Sequence, residues 1–262
     1  MRRTSWYLTR WFCGVLLVAA QSAAADPVTV RVPEGTTHGF LVLRSLQGQT
    51  LAHGELLALP HGDRMESRLT WRFRDGSLQD ELVTYLQRPV LKLMSYKQIQ
   101  RGPSFPSDIE VSFTREPTRY EVKLRERGKK DAEEHSGPIE LPQDVYNGMT
   151  ATILNNLGRG ETASGHVLAF TPKPIFVKMA IRPIGEDPVM VGDARRSATR
   201  YLIDLEVGGI PGVFAKVVGK EPPDLRYWVL GGSVPAFVRF EGPFFVNGPV
   251  WRVDLSTPRW PK

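Results

Sequence analysis

From Arg64 to Arg74 the chain alternates: Met65, Leu69, Trp71 and Phe73 occupy one set of positions, and Arg64, Glu66, Arg68, Arg72 and Arg74 the other. Only a strand, whose side chains point to opposite faces in turn, sorts them this way. The same period recurs in Ile109, Val111 and Phe113; in Tyr120, Val122 and Leu124; in Ile175, Val177, Met179 and Ile181; in Tyr201, Ile203, Leu205 and Val207; and in Trp251, Val253 and Leu255. Glycine (24) and proline (21) separate these runs at short intervals, as turns between antiparallel strands require. The expected fold is mainly β, a large curved antiparallel sheet or open barrel with one short helix packed on its concave side. That helix is expected over 144 to 157, where Asp144 can cap a stretch in which Val145, Met149 and Ile153 lie above one another and Leu157-Gly158 is the stop. Lys129 to His135 reads as a charged connector, and Gly208 to Asp224 as a long irregular excursion.

The amino-terminal end follows a different rule. Arg2, Arg3 and Arg10 precede an apolar run from Trp11 to Ala20, and Ala23-Ala24-Ala25 precede Asp26. This is the order of a cleavable export signal, residues 1 to 25, with residues 26 to 262 as a single all-β domain. Ten apolar residues rise about 15 Å as a helix, roughly half of a bilayer core, so no stable transmembrane anchor is expected after cleavage. Removing the leader takes three arginines and no acid, and the net charge of +6 falls to +3. So small a charge over that length argues against a nucleic-acid partner. Cys13, the only cysteine, goes with the leader, and with it any disulfide, thiolate nucleophile or cysteine metal ligand.

Asp75-Gly76, between two strand-like runs, is the strongest local hairpin signal. Read as a two-residue loop, it opposes Arg74 to Ser77, Thr70 to Glu81 and Trp71 to Asp80. Glu81 then stands among arginines on the outer face, and Asp80 turns toward the apolar face, where a lone carboxylate is costly. A tight reversal at Arg88-Pro89 would bring Lys97 opposite Asp80, on the face carrying Leu91, Leu93, Ser95 and Ile99. The candidate ligand-binding residues are therefore Trp71, Asp80, Thr84, Ser95 and Lys97. A structural ion pair and a polar anchor within a ligand cavity both fit this pattern.

Other chemistry finds little support. His38, His53, His61, His135 and His166 show no zinc-binding spacing, so no metal or cofactor is expected. His61 and Asp63 share the Pro60-His61-Gly62-Asp63 turn, which turn chemistry explains. Gly231-Gly232-Ser233-Val234-Pro235 ends in proline where a nucleophile elbow needs glycine, and Gly212 to Lys220 lacks phosphate-loop spacing. Near the carboxyl terminus Trp228, Phe237, Phe240, Phe244, Phe245, Trp251 and Trp260 interleave with Arg226, Arg239, Arg252 and Arg259. Rings beside arginines could form a stacking surface, but core strands with charged outer faces need the same residues and are the expected reading.

Several strings carry a resemblance: Trp71-Arg72-Phe73-Arg74-Asp75-Gly76-Ser77-Leu78; Gln100-Arg101-Gly102-Pro103-Ser104-Phe105-Pro106; Leu141-Pro142 with Asp144 and Asn147-Gly148; Gly219-Lys220-Glu221-Pro222-Pro223-Asp224; Gly248-Pro249-Val250-Trp251-Arg252; and Trp260-Pro261. Together they resemble a family of exported bacterial proteins of unknown function, which implies a place in the periplasm or extracellular space. The architecture is also similar to lipoprotein-carrier and lipocalin-like β-structures, in which a curved sheet encloses an apolar ligand. The functional expectation is a non-catalytic protein that binds a lipid or other amphipathic small molecule in the sheet concavity. A hydrolase acting on a cell-envelope polymer and an envelope assembly or adhesion module are the alternatives.

Overall fold

A computed structural model of the chain describes residues 27–170, 173–191, 193–207 and 224–256. The segment expected to be an export signal, residues 1 to 25, and most of the 208 to 224 stretch lie outside the described residues. The alternating runs are strands: β1 (Thr37–Ser45), β2 (Thr50–His61), β3 (Arg64–Phe73), β4 (Leu78–Gln87), β5 (Leu91–Arg101), β6 (Ser107–Arg115), β7 (Thr118–Glu126), β8 (Glu133–Pro138), β9 (Ala163–Phe170), β10 (Pro174–Val191), β11 (Ala194–Val207), β12 (Leu225–Leu230), β13 (Ala236–Gly242) and β14 (Trp251–Ser256). They form one antiparallel sheet in the order β8-β7-β6-β5-β4-β3-β2-β1-β14-β13-β12-β11-β10-β9. Strands β8 and β9, consecutive in sequence, are thus its two edges.

The sheet curls so that inward residues of distant strands meet. Met65, Tyr85, Tyr96 and Phe113 share one buried cluster with Met179, Ile181, Tyr201 and Val229. The chain between β8 and β9 supplies the filling, with Val145, Tyr146, Met149 and Ile153 fully buried among them. Arg115 holds this segment by donating to the carbonyls of Leu141 (2.6 Å) and Pro142 (2.8 Å). Asn147 pairs with the backbone of Leu168 through both its amide nitrogen and its oxygen. A second cluster of Leu43, Trp71, Phe73, Phe105 and Trp251 closes the other end of the curl.

The helix is shorter than expected. It spans only Thr150–Asn155, and Asp144 does not cap it. Gly148 stands at φ 70°, in the left-handed region that favours glycine, and breaks any helix entering from residue 144. A Cβ there would lie 2.5 Å from Val83 Cγ2, so close approach to the sheet demands glycine as well. Residues 144 to 146 extend beside β9 instead: His166 N donates to Asp144 O (2.7 Å) and Tyr146 N to His166 O (2.9 Å).

The outer face is built for water. Arg68 pairs with Asp80, Lys97 with Glu110, Lys123 with Glu134, Arg182 with Asp204, and Arg239 and Arg44 with Asp254, each across neighbouring strands. A band of ion pairs is the opposite of the apolar girdle of a membrane-spanning barrel.

At Gly54 an added Cβ would fall 2.6 to 2.8 Å from the buried Trp71 ring. Replacing Gly54 by alanine is therefore expected to destabilise the fold by about 1–3 kcal/mol, the usual cost of overpacking. Urea denaturation measures it, and an unchanged midpoint would contradict the packing described.

Candidate ligand-binding hollow

The hairpin at Asp75-Gly76 has a three-residue loop. Phe73 N donates to Ser77 O (3.0 Å), Gly76 N donates to Phe73 O (3.2 Å), and Gly76 takes φ 83°. Asp75 Oδ1 accepts from Ser77 N (2.9 Å) and Oδ2 from Ser104 Oγ (2.7 Å), which fastens the turn to the neighbouring β5–β6 connection. Asp-Gly serves this loop, with glycine in the left-handed position, as well as it serves the two-residue one. The register is displaced by one residue from the expected one: Thr70 faces Asp80 and Leu69 faces Glu81.

A one-residue slip exchanges the two faces of a strand. Asp80 turns outward, where Arg68 Nε and Nη2 hold it at 2.9 and 3.0 Å and Thr70 Oγ1 donates at 2.6 Å. Partial burial pushes its carboxyl up, but Arg68 and Thr70 more than offset this and hold it below the ordinary range. Lys97 does not meet Asp80. It lies opposite Leu82, is exposed, and pairs with Glu110 at 2.8 Å. Thr84 and Ser95 face each other at the edge of a bulge, on the same outer side. Trp71 alone of the five expected residues points inward, buried in the second cluster. The structure therefore does not gather Trp71, Asp80, Thr84, Ser95 and Lys97 at one place.

Glu81 takes the inward position foreseen for its neighbour. It stands in a cross-strand row, Leu56-Leu69-Glu81-Gln98-Val111, running from β2 to β6. Tyr96 donates its hydroxyl to Glu81 Oε2 (2.8 Å) and lies 3.1 Å from Gln98 Oε1. A Cβ on Gly148 would approach Glu81 Oε1 to 3.0 Å, so the filling segment passes directly over the carboxyl. Facing it is a second inward row, Tyr201-Tyr227-Phe240-Val253-Leu43. Tyr227 is close enough to feel the charge of Glu81, and its ring lies 4.7 Å from that of Phe240.

Burial raises the Glu81 carboxyl above its ordinary value, and the nearby Asp80 charge adds to this against the opposing Tyr96 hydrogen bond. Burial followed by the Glu81 charge likewise raises the Tyr96 and Tyr227 phenols, while the Thr150 hydroxyl acts against this at Tyr227. Yet Glu81 and Tyr227 each keep part of their surface accessible. Neither side chain belongs to the fully buried residues of a cluster, and both stand at the margin of the packed interior. The placement agrees: Leu56, Leu69, Phe237 and Phe240 border one buried cluster, Tyr227 and Leu225 the other, and the two clusters do not merge. In the same region the buried Gln79 Oε1 has no hydrogen-bond partner. Apolar side chains and a few convergent polar groups thus meet where the two clusters adjoin, a composition that small-molecule sites share.

Other polar groups are committed to the fold. Glu34 accepts from Tyr85 (2.5 Å), Thr152 and Asn155, and its backbone is held by both ends of the Gln87 amide. Asp144 Oδ2 lies 2.9 Å from His166 Nδ1 and His38 Nε2 2.9 Å from Glu55, but among the described residues no hydroxyl is hydrogen-bonded to either ring. No group of three or more metal-ligating side chains occurs among the described residues.

No family model and no curated protein matches the chain. Among solved structures it is similar to a β-barrel-like protein of the domain of unknown function DUF1849 from Brucella abortus. The TM-score is 0.46 at 8% identity, over 86% of this chain and 97% of that one.

The raised carboxyl has a definite sign. Glu81 favours folding fully below its ordinary value of 4.5, and that contribution is lost as the pH rises toward the folded value. Replacing Glu81 by glutamine, which still accepts from Tyr96, is expected to leave stability little changed near pH 4 and to raise it near pH 8. Thermal unfolding of both proteins across this range checks it; parallel profiles would place Glu81 in water.

Proposed function

We propose that the protein is a non-catalytic binder of an apolar or amphipathic small molecule, held in the hollow between the Glu81 and Tyr227 rows. The observation that carries this reading is a carboxyl kept off the core clusters, desolvated yet incompletely covered, among apolar walls. Leu56, Leu69, Phe237, Phe240 and the Tyr227 ring suit a hydrocarbon chain, which gains about 0.8 kcal/mol for each buried methylene. Glu81, whose carboxyl burial raises above its ordinary value, accepts from Tyr96, can also donate when protonated, and in either form disfavours an anionic head group. A neutral hydroxyl or carbonyl head, as in an acylglycerol, fits it. The leader at residues 1 to 25 would place this binding in a bacterial envelope, where such molecules are abundant.

The neutral apolar dye phenyl-naphthylamine is expected to bind saturably and to be displaced by a monoacylglycerol. Replacing Leu69 by tryptophan fills the space facing Glu81 and should weaken binding roughly tenfold or more, because an occupied pocket leaves the ligand's apolar surface in water. Lys97→Ala, on the outer face, should bind as the parent does. Absence of saturable binding, or equal binding by the Leu69→Trp protein with its circular dichroism intact, would overturn the reading.

A further inference from the structure

Successive turns of an antiparallel sheet fall at alternate ends, so the strand order assigns each turn to one end of the curl. The β2–β3, β10–β11 and β12–β13 turns share an end with the start of β1 and the finish of β14. Eight large apolar side chains are exposed among the described residues, and six belong to this end: Phe40, Leu57, Met190, Val191, Val234 and Leu255. Only Leu46 and Val246 lie in turns at the other end. Val234 is 78% exposed and Met190 63%, values that no folding requirement explains.

The β10–β11 hairpin carries two of the six beyond its neighbours. Strand β9 accompanies β10 only to Ile181, and β12 accompanies β11 only from Ala198. From Pro188 to Ser197 the hairpin therefore stands as an unaccompanied two-stranded ribbon with Met190 and Val191 near its tip. Arg195 faces Met190 across the ribbon and Arg196 faces Val189; both arginines are exposed and, among the described residues, form no ion pair. Asp193 is the acid beside them.

We propose that this end of the sheet docks on the surface of an anionic lipid bilayer, with Met190, Val191 and Val234 entering the head-group region and Arg195 and Arg196 meeting lipid phosphates. Turns that share one end of a curled sheet present their tips to a plane together, which suits a flat partner better than a knob-like one. Apolar tips gain by leaving water, and unpaired guanidiniums beside them gain from anionic phosphate, in the manner of other interfacial anchors. The docking does not depend on what occupies the hollow.

Flotation of the purified protein with phosphatidylcholine vesicles, with and without phosphatidylglycerol, tests it. Binding is expected with phosphatidylglycerol, declining as salt is raised. Met190→Glu combined with Val234→Glu should weaken it roughly tenfold or more through lost apolar burial and added repulsion. Arg195→Glu with Arg196→Glu should abolish the preference for phosphatidylglycerol. Both variants alter exposed residues and should bind phenyl-naphthylamine in solution as the parent does, which separates this surface from the hollow. No flotation of the parent, or undiminished flotation of the Met190→Glu/Val234→Glu protein, would overturn the proposal. So would a dimer by light scattering that Met190→Glu converts to monomer, since the tips would then be an interface between copies.

Discussion

The hydrogen bond from Phe73 N to Ser77 O sets β3 against β4, and through it the side of the sheet on which every residue from Leu78 to Gln87 stands. Because side chains alternate, the pairing has two possible outcomes, and each places one of two adjacent carboxylates inside. The three-residue loop with Gly76 at its left-handed position selects Glu81. From that choice follow the Arg68–Asp80 pair outside, the Tyr96–Glu81 hydrogen bond inside, and the space kept for Glu81 beneath Gly148.

A second constraint comes from the open seam of the sheet. Strands β8 and β9 do not pair, so the chain joining them enters the curl, supplies Val145, Tyr146, Met149 and Ile153 to the core, and is tied to the sheet by Arg115, Asn147 and the Asp144–His166 contacts. Glycine at 148 lets this segment cross close to Val83. Leu69 and Phe240 are only partly buried at the border of the second cluster, and Glu81 stands beside Leu69. A desolvated acid disfavours folding when ionised, and Glu81 stands here beside the polar Gln98 and Tyr96 rather than in a wholly apolar face.

Much of the architecture was legible from alternation alone. Met65, Trp71 and Phe73; Val111 and Phe113; Val177, Met179 and Ile181; and Tyr201 and Ile203 are buried on one face of their strands as their period required. The site was less legible, for local reasons. Strand β4 carries Leu78, Leu82 and Leu86 on one set of positions and Val83 and Tyr85 on the other, so its own pattern does not say which face is inside. The β4–β5 connection is three residues long, with Gln87 facing Leu91 rather than Val90, and the bulge between Thr84 and Tyr85 adds a second residue of shift, so Lys97 stands opposite Leu82 and pairs with Glu110. The helix failed at Gly148 because close approach to the sheet outweighed the periodic spacing of Val145, Met149 and Ile153. Tyr227 comes within range of the Glu81 charge through the curl, a relation between distant strands that no short-range pattern carries.

The account turns on Glu81 facing the interior and Asp80 standing on the outer face beneath Arg68. Single cysteines placed at each position from Leu78 to Val83, with Cys13 replaced by serine, can be timed against a bulky charged thiol reagent in the native protein. The structure predicts rapid modification at 80 and slow modification at 79, 81 and 83. Rapid reaction at 81 with protection at 80 would restore the two-residue hairpin register and contradict the site described.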